Sequence, residues 1–120
     1  MSHYGRKFET ARRILRRTFP GDRPVRVRVV AAKLLNSWYG PNSEMSADYR
    51  FGDKCAVIRI ADDLGEREAI DSLIHEYAHF LDDPDGSLPQ CLDRRRRDHG
   101  VRWGKWYAKC YDVVFPHEDE

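Results

Sequence analysis

Residues 55–82 read CAVIRIADDLGEREAIDSLIHEYAHFLD, a short apolar run followed by a longer segment with apolar residues at helical spacing. The run Cys55–Ile60 predicts a β-strand. The segment 64–82 predicts an α-helix, because its apolar residues recur every three or four positions. Asp63, with Glu66 three residues later, predicts a capping box at the start of that helix.

The second half of the predicted helix contains His-Glu-Tyr-Ala-His at 75–79. Residues four apart lie on the same face of an α-helix, so His75 and His79 can direct ring nitrogens at one metal ion. Glu76 is rotated away from that face, and its carboxylate can reach a water molecule held by the metal. This spacing is typical of zinc hydrolases. The alternative is a pair of hydrogen-bonded histidines that bind no metal.

The segments around this strand and helix complete a small α+β pattern. A helix is predicted over 6–19, ending at Pro20-Gly21, and alternating apolar and basic residues predict a strand over Val25–Val30. The other expected elements are a loop over 36–46, a strand over Ala47–Phe51 joined to the Cys55–Ile60 strand by a Gly52-Asp53-Lys54 hairpin, an irregular segment over 83–98 and a helix over 99–115. We therefore expect a short twisted sheet of about three strands, packed with an N-terminal helix, the motif helix and a C-terminal helix.

Length and composition limit the class of protein. With 120 residues and 14.1 kDa, the chain is expected to form one domain over 1–120, with a basic N-terminal helix in 1–23 and an acidic tail at 116–120. No signal peptide or stretch of roughly 20 apolar residues is visible. The three cysteines contain no C-x-x-C pair, which predicts reduced thiols in a cytoplasmic protein.

Charge is unevenly distributed although the net charge is only +1. Residues 1–30 contain nine basic and two acidic residues, whereas residues 62–83 contain eight acidic residues and one arginine. The acidic segment would favour a cation near the motif. The basic segment and the run Arg94–Arg97 are the candidates for contact with nucleic acid.

A catalytic zinc ion usually has three protein ligands and an open position for water. His99 is the preferred third ligand, because it lies one turn before Trp103 on the apolar stripe of the C-terminal helix. Asp98 fits better as the N-cap of that helix. The alternatives that the sequence leaves open for the third ligand are Asp82, Asp83, Cys91, Asp93 and Asp98.

The chain also resembles a known family. His-Glu-Tyr-Ala-His, followed by a variable segment and then His99-Gly100-x-x-Trp103-Gly104 and an aromatic helix, is similar to the SprT-like zinc metallopeptidases, especially their small bacterial and phage-borne members. The resemblance covers about 24–115. It implies a minimal zincin-like domain with one zinc ion, in which His75, His79 and His99 are ligands and Glu76 is the catalytic acid/base. The C-terminal zinc ribbon of many SprT proteins is missing.

The expected function is therefore hydrolysis of peptide bonds in a protein or peptide substrate, with Glu76 as the general base for a metal-activated water. Candidate donors to the oxyanion are Tyr107, Tyr111, Tyr77 and Arg102, and Asp71 and the pair Asp82–Asp83 are candidates to orient the ligand imidazoles. The strand before the motif helix is expected to offer an edge to an extended peptide.

Two rival hypotheses use the same residues. The first is a basic module that contacts nucleic acid through its arginine-rich N-terminal helix and Arg94–Arg97, with an incidental metal. The second is a structural or regulatory metal-binding domain without turnover. Nucleic-acid binding can also coexist with peptidase activity, if the arginine-rich N-terminal helix brings the enzyme to nucleoprotein substrates.

Overall fold

The computed structural model describes residues 4–39, 45–50, 55–83 and 100–116. These ranges form a small α+β domain with four helices around a three-stranded mixed sheet. In chain order the elements are α1 (Arg6–Thr18), β1 (Val25–Val30), α2 (Ala32–Ser37), β2 (Ala47–Arg50), β3 (Ala56–Ala61), α3 (Glu66–Leu81) and α4 (Val101–Val114). The predicted α+β class is confirmed at this level.

The strand that precedes the motif helix lies in the middle of the sheet. β3 pairs in parallel with β1, from Val25 opposite Ala56 onwards, and antiparallel with β2, where Ala47 lies opposite Ile60. Both sides of its backbone are therefore used for pairing. The expectation that this strand offers an edge to a peptide is wrong, because the parallel partner comes from a distant part of the chain.

Side chains along β3 point alternately to the two faces of the sheet. Ala56, Ile58 and Ile60 are fully buried against α1 and α3. Arg59 points to the opposite face, where its guanidinium lies 4.1 Å from the ring centre of Trp38, the residue after α2. Arg59 also forms a buried ion pair with Asp48, the residue opposite it on β2. The sheet is therefore covered on one face by α3, against which α1 and α4 pack, and on the other face by α2.

The core lies between the sheet and the layer formed by α1, α3 and α4. Phe8, Ala11 and Leu15 recur at helical spacing along α1 and are almost completely buried. Leu73, Ile74 and Tyr77 of α3 are buried to the same extent. α3 is thus held on several sides, and this fixes the orientation of the motif that it carries.

The residues that cap the helices differ from the predicted ones. α3 begins at Glu66, and the Gly65 N–H donates to the Glu68 carboxylate at 3.2 Å, so the predicted Asp63–Glu66 capping box is wrong. Glu66 accepts instead from the N–H of Phe8 at 3.1 Å and caps the first turn of α1. Asp62 likewise accepts from the N–H of Ala32 at 3.2 Å, where α2 begins. Two acidic residues before the motif therefore stabilise other helices.

Other predicted boundaries agree with the structure to within one or two residues. The strand over Val25–Val30 and the helix that ends before Pro20-Gly21 are confirmed, and β2 and β3 are the predicted antiparallel pair. The loop expected over 36–46 is wrong at its start, where α2 extends to Ser37. The 52–54 turn, most of the 83–98 segment and 117–120 lie outside the described residues. None of the helices described is long and apolar enough to cross a membrane.

Candidate metal centre

The motif histidines lie on one face of α3, as their spacing predicts. The ring centroids of His75 and His79 are 5.0 Å apart with the rings inclined at 67°, and both side chains are half-buried. Two imidazoles that bind one tetrahedral zinc ion through Zn–N bonds of about 2.0–2.1 Å have ring centroids about 5 Å apart. The centroid distance of the pair is therefore of the size that a shared zinc ion requires.

Glu76 lies next to His75 in the same turn and is only 9% exposed. Glutamate is rarely buried to this degree in a structural helix, because removing a carboxylate from water is unfavourable without compensating contacts. Three titratable side chains, those of His75, Glu76 and His79, thus lie within five residues of a packed helix. Such a concentration is typical of a functional site.

Trp103 of α4 forms a wall beside both histidines. Its ring centroid lies 4.9 Å from that of His75 and 5.4 Å from that of His79. Its indole N–H donates to the main-chain carbonyl of His75 at 3.3 Å. In the sequence, Trp103 belongs to the apolar stripe of the last helix and to the motif that carries the family resemblance, and neither pattern predicts a contact with the histidines. Its contact with the histidines depends on how α3 and α4 pack, which no local pattern contains.

Tyr107 lies one turn further along α4. Its ring stacks on Trp103 with centroids 5.0 Å apart, and its centroid is 6.5 Å from that of His75. Burial, together with the nearby negative charge of Asp71, raises the pKa of Tyr107 above its ordinary value. The hydroxyl therefore stays protonated at neutral pH. Of the candidate oxyanion donors, Tyr107 is the one that lies beside the histidine pair.

Arg67 contacts both Asp71 and Tyr111. The guanidinium of Arg67 lies 3.5 Å from the Asp71 carboxylate, and it donates to the Tyr111 hydroxyl at 2.7 Å. Arg67 also stacks over Phe115 near the end of α4. These contacts connect the outer surfaces of α3 and α4, so they give Asp71 and Tyr111 a structural role beside their candidate roles in the site.

Two other candidate oxyanion donors are engaged elsewhere. The Tyr77 hydroxyl is buried on the core side of α3 and donates to the carbonyl of Phe19 at 2.7 Å, so of the two roles open to it, core packing and donation to an oxyanion, Tyr77 has the first. The guanidinium of Arg102 forms an ion pair with Asp82 at 3.0 Å. Tyr77 therefore does not face the histidines, although it lies between them in the sequence.

The acidic residues at the end of α3 are also in ion pairs. Asp83 is fully buried, accepts a hydrogen bond from the Tyr49 hydroxyl at 2.5 Å and lies 3.7 Å from the guanidinium of Arg23. Asp82 is paired with Arg102. These contacts weigh against both residues as the third metal ligand and as groups that orient the imidazoles. The positive charges of Arg23 and Arg102 also reduce the cation-attracting field expected from 62–83.

The preferred third ligand, His99, lies outside the described residues, as do Asp98, Asp93 and Cys91. α4 begins at Val101 with Gly100 in the N-cap position, so the prediction that Asp98 caps this helix is wrong. In the part of the chain that the structure describes, no group of three or more His, Cys, Asp or Glu side chains could hold a metal ion. The described site is therefore a two-histidine pair with a buried glutamate and an aromatic wall.

Comparison of the chain with protein-family models, with curated proteins and with solved structures gave no match.

Proposed function

We propose that this chain is a zinc-dependent metallopeptidase of the SprT-like type, with a minimal zincin-like fold. The observation that carries the proposal is the pairing of His75 and His79 at a centroid distance of 5.0 Å with a buried glutamate between them in the sequence. His75 and His79 would supply two imidazole ligands and His99 the third. The α+β arrangement, in which a central strand leads into the motif helix, supports the fold part of the proposal.

The zinc ion, when bound, supplies a lowered pKa for water and polarisation of a substrate carbonyl. Glu76 accepts the proton of the attacking water and passes it to the nitrogen of the leaving amine. Its burial keeps bulk water away and strengthens its electrostatic interactions. Both steps use one carboxylate, which must be ionised before attack and protonated afterwards.

Tyr107 is the proposed hydrogen-bond donor to the carbonyl oxygen as negative charge develops on it. Trp103 restricts the rotation of both imidazoles through ring contacts at 4.9 and 5.4 Å, and it excludes water from one side of the pair. Tyr107 in turn is held against Trp103 by stacking. The two aromatic residues therefore act together, one positioning the histidines and the other contacting substrate.

The proposal is tested by Glu76→Gln, which keeps the size of the side chain and removes its basicity. Zinc-loaded wild type and variant are compared on unfolded casein and on a quenched fluorescent peptide library. We expect the variant to bind zinc and to unfold as wild type does, with turnover reduced about 10²–10⁴-fold. The matched control is Glu68→Gln on the exposed first turn of the same helix, where glutamine can still accept from the Gly65 N–H. This control should keep full activity.

A different result would favour the second rival hypothesis. If zinc binds but wild type and Glu76→Gln are equally inactive on every substrate, the site is structural or regulatory and the peptidase proposal fails. If Glu76→Gln hydrolyses peptides as fast as wild type, Glu76 is not the base and the mechanism above is wrong.

A further inference from the structure

The outer face of α1 carries a second candidate site, which is remote in the sequence from the histidines. A shallow groove of about 430 Å³ is lined by Glu9, Arg12, Arg13, Arg16 and Arg17. A neighbouring groove of about 710 Å³ shares Glu9 and Arg12 with it and continues towards Arg6 and the sheet edge at Arg28. The two grooves form one continuous surface across α1 and β1. We call it the arginine surface and define it by Arg6, Arg12, Arg13, Arg16, Arg17 and Arg28.

The charges on this surface are largely uncompensated. Arg12 pairs with Glu9 at 2.9 Å, and Glu9 is the one acidic residue of α1 beside five arginines and a lysine. Arg13, Arg16 and Arg17 are exposed and form no ion pair within the ranges that the structure describes. Arg12 and Arg16, like Arg13 and Arg17, are four residues apart, about 6 Å along the helix axis, and like charges at this spacing oppose helix formation. A polyanion bound here would relieve that repulsion.

The helix itself does not depend on these arginines for its packing. Phe8, Ala11 and Leu15 are buried beneath it, and the Glu66 carboxylate caps its first turn. Since the apolar stripe of α1 is occupied by the core, the helix has no free apolar face to insert into a lipid surface. This argues against a membrane as the partner.

The chemistry of the surface suits phosphate groups. Guanidinium groups donate pairs of hydrogen bonds that match phosphate oxygens. The two aromatic residues of the grooves are already packed, because Phe8 is buried and the ring of Tyr4 lies against Phe8 with centroids 5.1 Å apart. We propose that the arginine surface binds the sugar-phosphate backbone of nucleic acid, without sequence preference.

This inference does not rest on the proposed peptidase activity, and it is tested by binding alone. Fluorescence anisotropy with random 20-nucleotide single-stranded and duplex DNA is measured with the full chain from about 50 to 200 mM salt. The logarithm of the binding constant should fall linearly with the logarithm of salt concentration. In the triple variant Arg13→Gln, Arg16→Gln, Arg17→Gln, the slope for duplex DNA should decrease by about 2 to 3, since each lost phosphate contact contributes about 0.9. Binding at the lowest salt should weaken at least about tenfold. The unfolding midpoint should be no lower than that of wild type, because the variant also removes the repulsion between the paired arginines.

Two matched variants localise the effect. The triple variant Lys33→Gln, Arg50→Gln, Lys105→Gln removes the same charge from exposed positions of α2, β2 and α4, and it should bind within about twofold of wild type. Replacing Arg94–Arg97 with glutamine tests the other basic run of the sequence. If only this last variant loses binding, or if both charge-matched triple variants lose it equally, the assignment to the arginine surface is wrong.

Other probes identify the class of partner. No binding to either DNA at 50 mM salt overturns the proposal, as does tighter binding to phosphatidylserine vesicles or to polyglutamate than to DNA. DNA binding that is indifferent to salt would also overturn it, because phosphate contacts release counterions.

Discussion

Trp103 donates its indole N–H to the main-chain carbonyl of His75, across 3.3 Å between α4 and α3. The same indole ring contacts the imidazole of His75, so one residue fixes both the backbone and the side chain of the first motif histidine. The outer contacts of a metal ligand determine its ring orientation and its basicity. We therefore expect the metal affinity of the site to depend on Trp103 as well as on the histidines.

Replacement of Trp103 by phenylalanine should weaken zinc binding about tenfold, because it keeps an aromatic wall but removes the N–H. The free energy of unfolding should fall by about 1 kcal/mol for the lost hydrogen bond. Zinc affinity is measured by competition with a chelating dye, and stability by urea unfolding. Trp106→Phe is the matched control, since the ring of Trp106 packs against Phe19. Equal loss of zinc affinity in both variants would show that the effect comes from general packing of α4.

Metal analysis of the purified chain should find about one zinc ion per molecule. His75→Ala and His79→Ala should each abolish tight binding, because a site with two remaining ligands holds zinc poorly, and His99→Ala should do the same if it is the third ligand. The control is His3→Ala combined with His117→Ala, which replaces the other two histidines of the chain. Zinc retained in His99→Ala but lost in His75→Ala would move the third ligand to another residue. Asp98 would then be tested first.

Cys110 should make the protein less stable at alkaline pH. Burial raises the pKa of its thiol from 9.0 to about 12. The stability that comes from holding a neutral thiol is complete below about pH 9, where the unfolded thiol is also neutral. It is lost as pH rises towards 12, because the unfolded chain can ionise Cys110 and the folded chain cannot. The difference corresponds to about 4 kcal/mol at the upper end of this range, as an order of magnitude.

Urea unfolding at pH 7, 9 and 10.5 measures this effect. Cys110→Ala should be less stable than wild type at pH 7, because it leaves a cavity, but it should lose less stability between pH 9 and 10.5. Part of the alkaline loss will remain, since burial also raises the pKa of Tyr49 and Tyr77. Cys55→Ala, at a half-buried position, should keep the wild-type pH dependence. Parallel pH profiles for wild type and Cys110→Ala would contradict the prediction.

Local patterns in the sequence predict the strand and helix that carry the motif, but they do not predict the contacts between elements. The alternation in Val25–Val30 and the stripe in 64–82 each identify an element from its own residues. α2 was missed because six residues are too few for a repeated stripe, and its first turn is capped by Asp62, which is 30 positions away. The central position of β3 was missed for the same reason, since its parallel partner β1 is distant in the sequence.

The candidate site also contains relations that the sequence predicts and contacts that it does not predict. The relation of His75, Glu76 and His79 follows from helix geometry alone, and the structure agrees with it. The roles of Trp103, Tyr77 and Asp83 depend on which elements lie opposite them. Spacing cannot show that Tyr77 reaches the Phe19 carbonyl or that Asp83 meets Tyr49 and Arg23.

Replacement of Gly21 and of Gly104 by alanine should change the stability of the protein in opposite directions. Gly21 has φ of 77°, in the left-handed region, and a Cβ there would lie 2.5 Å from Cζ of Phe80. Gly21→Ala should therefore destabilise the protein by about 2 kcal/mol or more through backbone strain and the displaced ring. Gly104 lies within α4, and a Cβ there would meet no atom within 4 Å. Gly104→Ala should stabilise the protein by about 0.5–1 kcal/mol, because alanine loses less backbone entropy in a helix.

Urea unfolding of the two variants beside wild type measures both changes with the same chemical substitution. Phe80 packs over Arg23 and Tyr77, so a shift of its ring in Gly21→Ala should also disturb the end of α3 that carries His79. We therefore expect Gly21→Ala to bind zinc more weakly and Gly104→Ala to bind it as wild type does. Stabilisation by Gly21→Ala would mean that the turn after α1 does not adopt the left-handed conformation, and the anchoring of α3 through Phe80 would have to be revised.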